Sequence, residues 1–141
     1  MLKDGIIVPS RSNYASNVTL VKRPNGKYRF CVDFRRLNSQ TMRDSYGIPL
    51  ISSCYDALGG AKYYSTLDQT SSYWQVPLDE RTAHKTAFLT RGGLYEFTVG
   101  AFGLTPMVAT FQRLMNLVLA GLSWKMCLCF LDDIIIFFRY V

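Results

Sequence analysis

Apolar and polar positions follow two spacings along this chain, a period of two in its first third and a helical period near its end, and the elements can be read from them. Residues 18–23 and 27–33 have strand composition and flank Arg23-Pro24-Asn25-Gly26, where proline and glycine occupy the turn positions that want a fixed and a positive φ. The segment predicts a hairpin. Tyr28, Phe30 and Val32 fall on one face of its return strand, and Lys27, Arg29, Cys31 and Asp33 on the other, so Arg29 is expected to stand opposite an aromatic core. Residues 63–68 also read as a strand, ending on the carboxylate of Asp68. A second hairpin is expected over residues 85–102, turning at Arg91-Gly92-Gly93 with Tyr95, Phe97 and Val99 on one face.

The clearest helix begins near Thr105, with Thr105 as its cap and Pro106 at its first position. Val108, Phe111, Leu114, Met115, Val118 and Leu122 form an apolar stripe at helical spacing that is expected to be core. Gln112, Arg113 and Asn116 fall on the other side, and Gly121 is a plausible terminator. The run from 126 to 138 is apolar except for Asp132-Asp133, and it predicts two short strands with the carboxylates at the turn between them. A buried charge without a partner is expensive, so the pair calls for exposure at a turn, a mutual partner or a bound cation. The second strand runs to the chain terminus with nothing to cover it, which reads as an interrupted domain.

Composition narrows the class. A chain of 141 residues, 49% hydrophobic and 18% charged, has the material for one globular domain with a core. A net charge of +6 fits a polyanionic partner. Cys31, Cys54, Cys127 and Cys129 form no C-x-x-C pair and there is a single histidine, His84, which argues against a zinc site. Reduced thiols, an intracellular setting and no secretion are expected. The N-terminus does not read as a signal peptide, and the apolar run near the end is too short, and too interrupted, to span a bilayer. If Asp68 closes a strand beside the Asp132-Asp133 turn, the three carboxylates converge, and such oxygen ligands suit Mg²⁺ or Mn²⁺. The local pattern alone leaves ordinary turn chemistry open.

Six blocks give the sequence a closer likeness. LVKRPNGKYRFCVDFRRLNSQT (20–41), DSYGIP (44–49), ALGGAKYYSTLDQTSSYWQVPLDE (57–80), KTAFLTRGGLYEF (85–97), FGLTPMVATFQRLMN (102–116) and FLDDIII (130–136) cover nearly the whole chain. In this order they resemble the reverse transcriptase domain of gypsy-type LTR retrotransposon Pol polyproteins. The resemblance implies an α+β fold, part of a polymerase right hand. Fingers hairpins would take residues 1–43 and 79–101. An incomplete palm, an antiparallel sheet backed by helices, would take 44–78 and 102–141, with no thumb.

It also implies RNA-directed DNA polymerase activity: two-metal nucleotidyl transfer to a primer 3′-hydroxyl, with two Mg²⁺ or Mn²⁺ ions. Asp68, Asp132 and Asp133 would be the catalytic metal ligands. Lys22 and Arg29 would reach the triphosphate from the fingers hairpin, where the residues alone read as ordinary solvated hairpin charges. Tyr73 would lie under the incoming sugar and obstruct a 2′-hydroxyl, Phe102 and Gly103 would line the nucleotide pocket, and Phe130 and Leu131 would lie near the primer end. The partners implied are an RNA or DNA template with primer and deoxynucleoside triphosphates, in a polyprotein with RNase H and integrase. The alternative is a catalytically inactive relic or a nucleic-acid-binding module.

Several positions depart from the family pattern. Phe130 replaces a tyrosine and Pro106-Met107-Val108 replaces Asn-Ala-Pro. Ser72 replaces a glycine and is expected to strain the turn after Asp68.

Overall fold

In chain order the strands and helices are β1 (Ile7–Pro9), β2 (Val18–Lys22), β3 (Tyr28–Val32), α1 (Arg35–Gln40), α2 (Ile51–Leu58), β4 (Tyr63–Asp68), α3 (Glu80–Ala83), β5 (Phe88–Thr90), β6 (Gly93–Phe97), α4 (Thr105–Val118), β7 (Cys127–Phe130) and β8 (Asp133–Phe138). They come from a computed structural model that describes residues 1–139; Tyr140 and Val141, which the last strand was expected to reach, lie outside the described residues. The chain divides into two units, Met1–Arg43 with Tyr73–Met107 and Asp44–Ser72 with Val108–Val141. Helices and antiparallel sheets mix in the manner of an α+β fold.

The first unit is built on aromatic rings. β1, β6 and β5 form an antiparallel sheet in that order, with Ile7 opposite Phe97 and Phe88 opposite Tyr95. Phe34, Phe88 and Phe97 are buried, and the Phe88 ring lies 5.3 Å from Phe97 and 5.4 Å from Phe30. β2 and β3 form the expected hairpin as a ribbon of their own. Its aromatic face is not a core: Tyr28 is 64% exposed and Leu20 is exposed as well, while Phe30 touches Phe88 and Val32, at the base of the ribbon, is half-buried. A two-stranded ribbon has too little apolar surface to bury both faces.

The second unit is a three-stranded antiparallel sheet, β4-β8-β7, with β8 in the middle. The β-branched run Ile134-Ile135-Ile136 gives the central strand its composition. Cys127, Leu128, Cys129, Ile134 and Phe137 are buried in it. Register is set over six pairs, from Tyr63↔Phe138 to Asp68↔Asp133.

α4 begins where expected but is phased differently. Its buried residues are Met107, Ala109, Phe111, Gln112 and Met115, whereas Leu114 and Val118, like Leu122 beyond the helix, are exposed. Gln112, placed on the polar side by the sequence pattern, is 0% exposed. Thr105 is the first helical residue rather than the cap. Its N–H donates to the Asn38 side-chain oxygen at 3.0 Å, and the same amide donates to the Gly103 carbonyl at 2.7 Å.

Candidate active site

The carboxylates arise from hairpin geometry. Phe130 pairs with Asp133, so Leu131 and Asp132 form a two-residue turn between β7 and β8. Of the two, only Leu131 has positive φ, at +56°, as in the II′ class, whose first position is ordinarily glycine. On the other side of β8, Asp68 is directly opposite Asp133, and directly opposed residues of antiparallel strands share a face. The Gln69 N–H donates to the Asp132 carbonyl at 3.2 Å, tying the end of β4 to the turn. The backbone thus brings Asp68, Asp132 and Asp133 to one end of one sheet. Asp68 and Asp133 are exposed and Asp132 is half-buried.

Among the described residues, no three His, Cys, Asp or Glu side chains are grouped closely enough to hold a metal ion as they stand. Like-charged carboxylates repel unless a cation draws them together. The residues nonetheless fit a hard divalent cation: all the donors are oxygens, and the buried Oδ1 of Asp132 has no hydrogen-bond partner. Cys129, on the adjoining strand, is no ligand candidate in its thiol form. Burial, reinforced by the charges of Cys127, Asp132 and Asp133, pushes its pKa up to about 11, and it donates to the Leu131 carbonyl at 3.3 Å.

The turn is held from beneath by a residue that sequence reasoning assigned to the polar face of α4. Gln112 Nε2 donates to the Cys129 carbonyl at 3.2 Å, and the Leu131 N–H donates to Gln112 Oε1 at 3.3 Å. Ser72, expected to be strained, is instead fully buried, and the positive φ falls on Ser71, at +53°.

The remaining candidates lie in the first unit. Lys22 and Arg29 are both on the β2–β3 ribbon, but Lys22 pairs with Tyr28 and Arg29 with Val21. Adjacent register positions point to opposite faces. Arg29 therefore shares its face with Cys31 and, across the turn closed by the Arg23 N–H to Lys27 carbonyl bond, with Arg23 and Lys27. Lys22 shares the other face with Tyr28, Phe30 and Leu20. Tyr73 is buried, with its ring 5.0 Å from the half-exposed Phe102. Trp74 is half-buried, with its ring 6.5 Å from Phe102. Gly103 has φ +93°, which favours glycine, and Asn38 holds its carbonyl. Gly100 has no room for a side chain: an added Cβ would meet the Tyr73 carbonyl at 2.7 Å. A polar cleft of about 480 Å³, lined by Asn13, Asn17, Asp33, Arg36, Gln40 and Lys85 among others, includes none of the candidate catalytic, nucleotide-binding or primer-proximal residues. No helix among the described residues is long and apolar enough to cross a membrane.

The α+β fold, the register of Asp68 against the Asp-Asp hairpin and the sequence blocks together place the chain among the polymerases. The chain is a member of the reverse transcriptase (RNA-dependent DNA polymerase) family, which matches residues 20–140. It is 45% identical, over 97% of its length, to the Pol polyprotein of the Drosophila melanogaster transposon opus, and 42% identical over 97% to that of the transposon gypsy. It spans 14% of each of these two proteins. An RNA-directed DNA polymerase homolog of Oenothera berteroana is 38% identical over 79% of this chain and 79% of that protein. Among solved structures, the prototype foamy virus protease-reverse transcriptase superposes with a TM-score of 0.85 at 26% identity, covering 99% of this chain and 18% of that one.

Proposed function

We propose that this chain carries the nucleotidyl-transfer centre of an RNA-directed DNA polymerase, extending a primer 3′-hydroxyl with deoxynucleoside triphosphates on an RNA or DNA template. The observation that carries the reading is the register pair Asp68↔Asp133 with Asp132 in the adjoining turn, in a chain of the reverse transcriptase family. Residues 1–43 and 79–101 then serve as fingers, and 44–78 and 102–141 as palm. Two Mg²⁺ or Mn²⁺ ions, when bound, would activate the 3′-hydroxyl and stabilise the pyrophosphate leaving group.

The chain's own groups have separate tasks in this reading. Asp68, Asp132 and Asp133 supply the oxygen ligands. Arg29 and Lys22, from opposite faces of their ribbon, supply positive charge against the triphosphate, where charge builds up during phosphoryl transfer. Tyr73 is buried and therefore stiff, which suits an aromatic wall that excludes a 2′-hydroxyl. Phe102 and Gly103 border the nucleotide, and Phe130 and Leu131 meet the primer end. The relatives being Pol polyproteins, RNase H and integrase regions and an intracellular setting complete the proposal.

Primer extension on an RNA template with Mg²⁺ or Mn²⁺ tests it. Incorporation is expected, and Asp132→Asn is expected to lower it by about a thousandfold, the scale of losing a principal electrostatic contributor. Absence of incorporation by the unaltered chain, together with salt-sensitive RNA binding, would point instead to a nucleic-acid-binding module that uses the +6 charge.

A further inference from the structure

Gln112 is fully buried, yet it carries an amide that needs three hydrogen bonds to be satisfied. An apolar side chain of similar length would fill the same space without that requirement. Each of its groups is spoken for. Nε2 donates to the Cys129 carbonyl at 3.2 Å and to Asn116 Oδ1 at 3.2 Å, and Oε1 accepts from the Leu131 N–H at 3.3 Å. The amide thus grips a carbonyl before the turn and an N–H within it, as a neighbouring strand would. The residue it grips, Leu131, is the one with positive φ, a conformation that side chains branched beyond Cβ rarely adopt unaided.

A chain of contacts fixes the amide in turn. Asn116 Nδ2 donates to Tyr46 Oη at 2.7 Å, the Arg113 guanidinium lies 4.7 Å from the centre of the Tyr46 ring, and Arg113 Nη2 donates to Asp44 at 2.9 Å. No donor among the described residues reaches Asp132 Oδ1. The position of that carboxylate is therefore set through the backbone of the turn.

We propose that Gln112 is a positioning residue: its amide clamps the strained Leu131–Asp132 turn and thereby aims the Asp132 carboxylate, with Asn116, Tyr46, Arg113 and Asp44 as its brace. The role assigned to Asp132 rests on the polymerase reading; the clamp itself does not. Gln112→Met keeps the length and the burial but removes all three hydrogen bonds. Gln112→Glu keeps only an acceptor for Leu131 and sets an oxygen against the Cys129 carbonyl.

Amide hydrogen exchange of the whole chain reads the clamp directly. In Gln112→Met the Leu131 N–H is expected to exchange about tenfold faster, as for one lost hydrogen bond, while the Ile135 N–H in the same sheet keeps its rate. Gln112→Glu is expected to fall between, and it carries the test if Gln112→Met does not fold. Mn²⁺ binding to the same variants is expected to weaken about ten- to a hundredfold, the usual effect of disturbing what orients a ligand. In primer extension kcat is expected to fall with the KM for deoxynucleotide unchanged. Unaltered exchange at Leu131, or equal acceleration at Leu131 and Ile135, would overturn the clamp and leave Gln112 as packing. If Leu131 responds alone but Mn²⁺ binds Asp132→Asn as well as the unaltered chain, the clamp stands and the polymerase reading falls.

Discussion

The hairpin β2–β3 and the hairpin β7–β8 both end in charged tips, and they are held in opposite ways. The first is a ribbon by itself: every residue of β2 from Thr19 to Lys22 is exposed, and Phe30 makes a ring contact with Phe88 in the core of its unit. The second is packed: Cys127, Leu128, Cys129, Ile134 and Phe137 are buried, β4 flanks it, and Gln112 grips its turn. Cations on long side chains stay solvated without close packing of the strands that carry them, so their backbone needs little support. Carboxylates on short side chains have no such reach, and their placement passes to the backbone. The difference shows how much support each kind of charged tip draws from its own unit.

Core truncation should separate the two hairpins most sharply. Phe137→Ala, at a site 2% exposed, is expected to lower stability by about 3–5 kcal/mol in urea unfolding. A loss below about 1 kcal/mol would place β7–β8 in the same class as the ribbon. On the ribbon, Phe30→Ala is expected to lose about 1 kcal/mol, mostly its edge contact with Phe88, and Tyr28→Ala less than about 0.5 kcal/mol by the same measurement.

The smallest effect is electrostatic and exposed. Just after β3, a side-chain hydrogen bond from Arg35 holds the Asp33 carboxyl at about 2, below its ordinary 3.8. A depressed carboxylate pKa stabilises the fold above the ordinary value, and that contribution is lost as pH falls through the depressed one. Acid unfolding of Asp33→Asn and the unaltered chain should therefore differ slightly above pH 3.8 and converge toward pH 2.

Most of the strand architecture was legible because it rests on local rules. Arg23-Pro24-Asn25-Gly26 and Gly92-Gly93 are turn chemistry, and the isoleucine run ahead of Phe137 cannot easily be anything but a buried strand. The phase of α4 was not legible. Leu114, Val118 and Leu122 are as apolar as Met107 and Met115, and nothing local tells a helix which of two apolar flanks will meet its neighbours. Gln112 was lost with that phase. Its signal was available only as a glutamine set between Phe111 and Arg113, and its reason, two backbone groups of a turn seventeen and nineteen residues away, is tertiary. Lys22 and Arg29 look adjacent in a hairpin drawing, yet the one-position offset in register sends them to opposite faces. Asn38 reads in sequence as one more polar helix residue; that it holds both Gly103 and the start of α4 appears only in space.

The six-pair ladder from Tyr63↔Phe138 to Asp68↔Asp133 also acts as a ruler. A residue inserted or deleted in the stretches before β4 or between α4 and β7 changes the length of a connection, and the site does not register it. The same event inside β4 or β8 shifts every later partner by one and turns Asp68 to the face opposite Asp133. The two carboxylates can thus drift apart in sequence at only a slowly growing closure cost, so long as the count of residues along each strand is conserved.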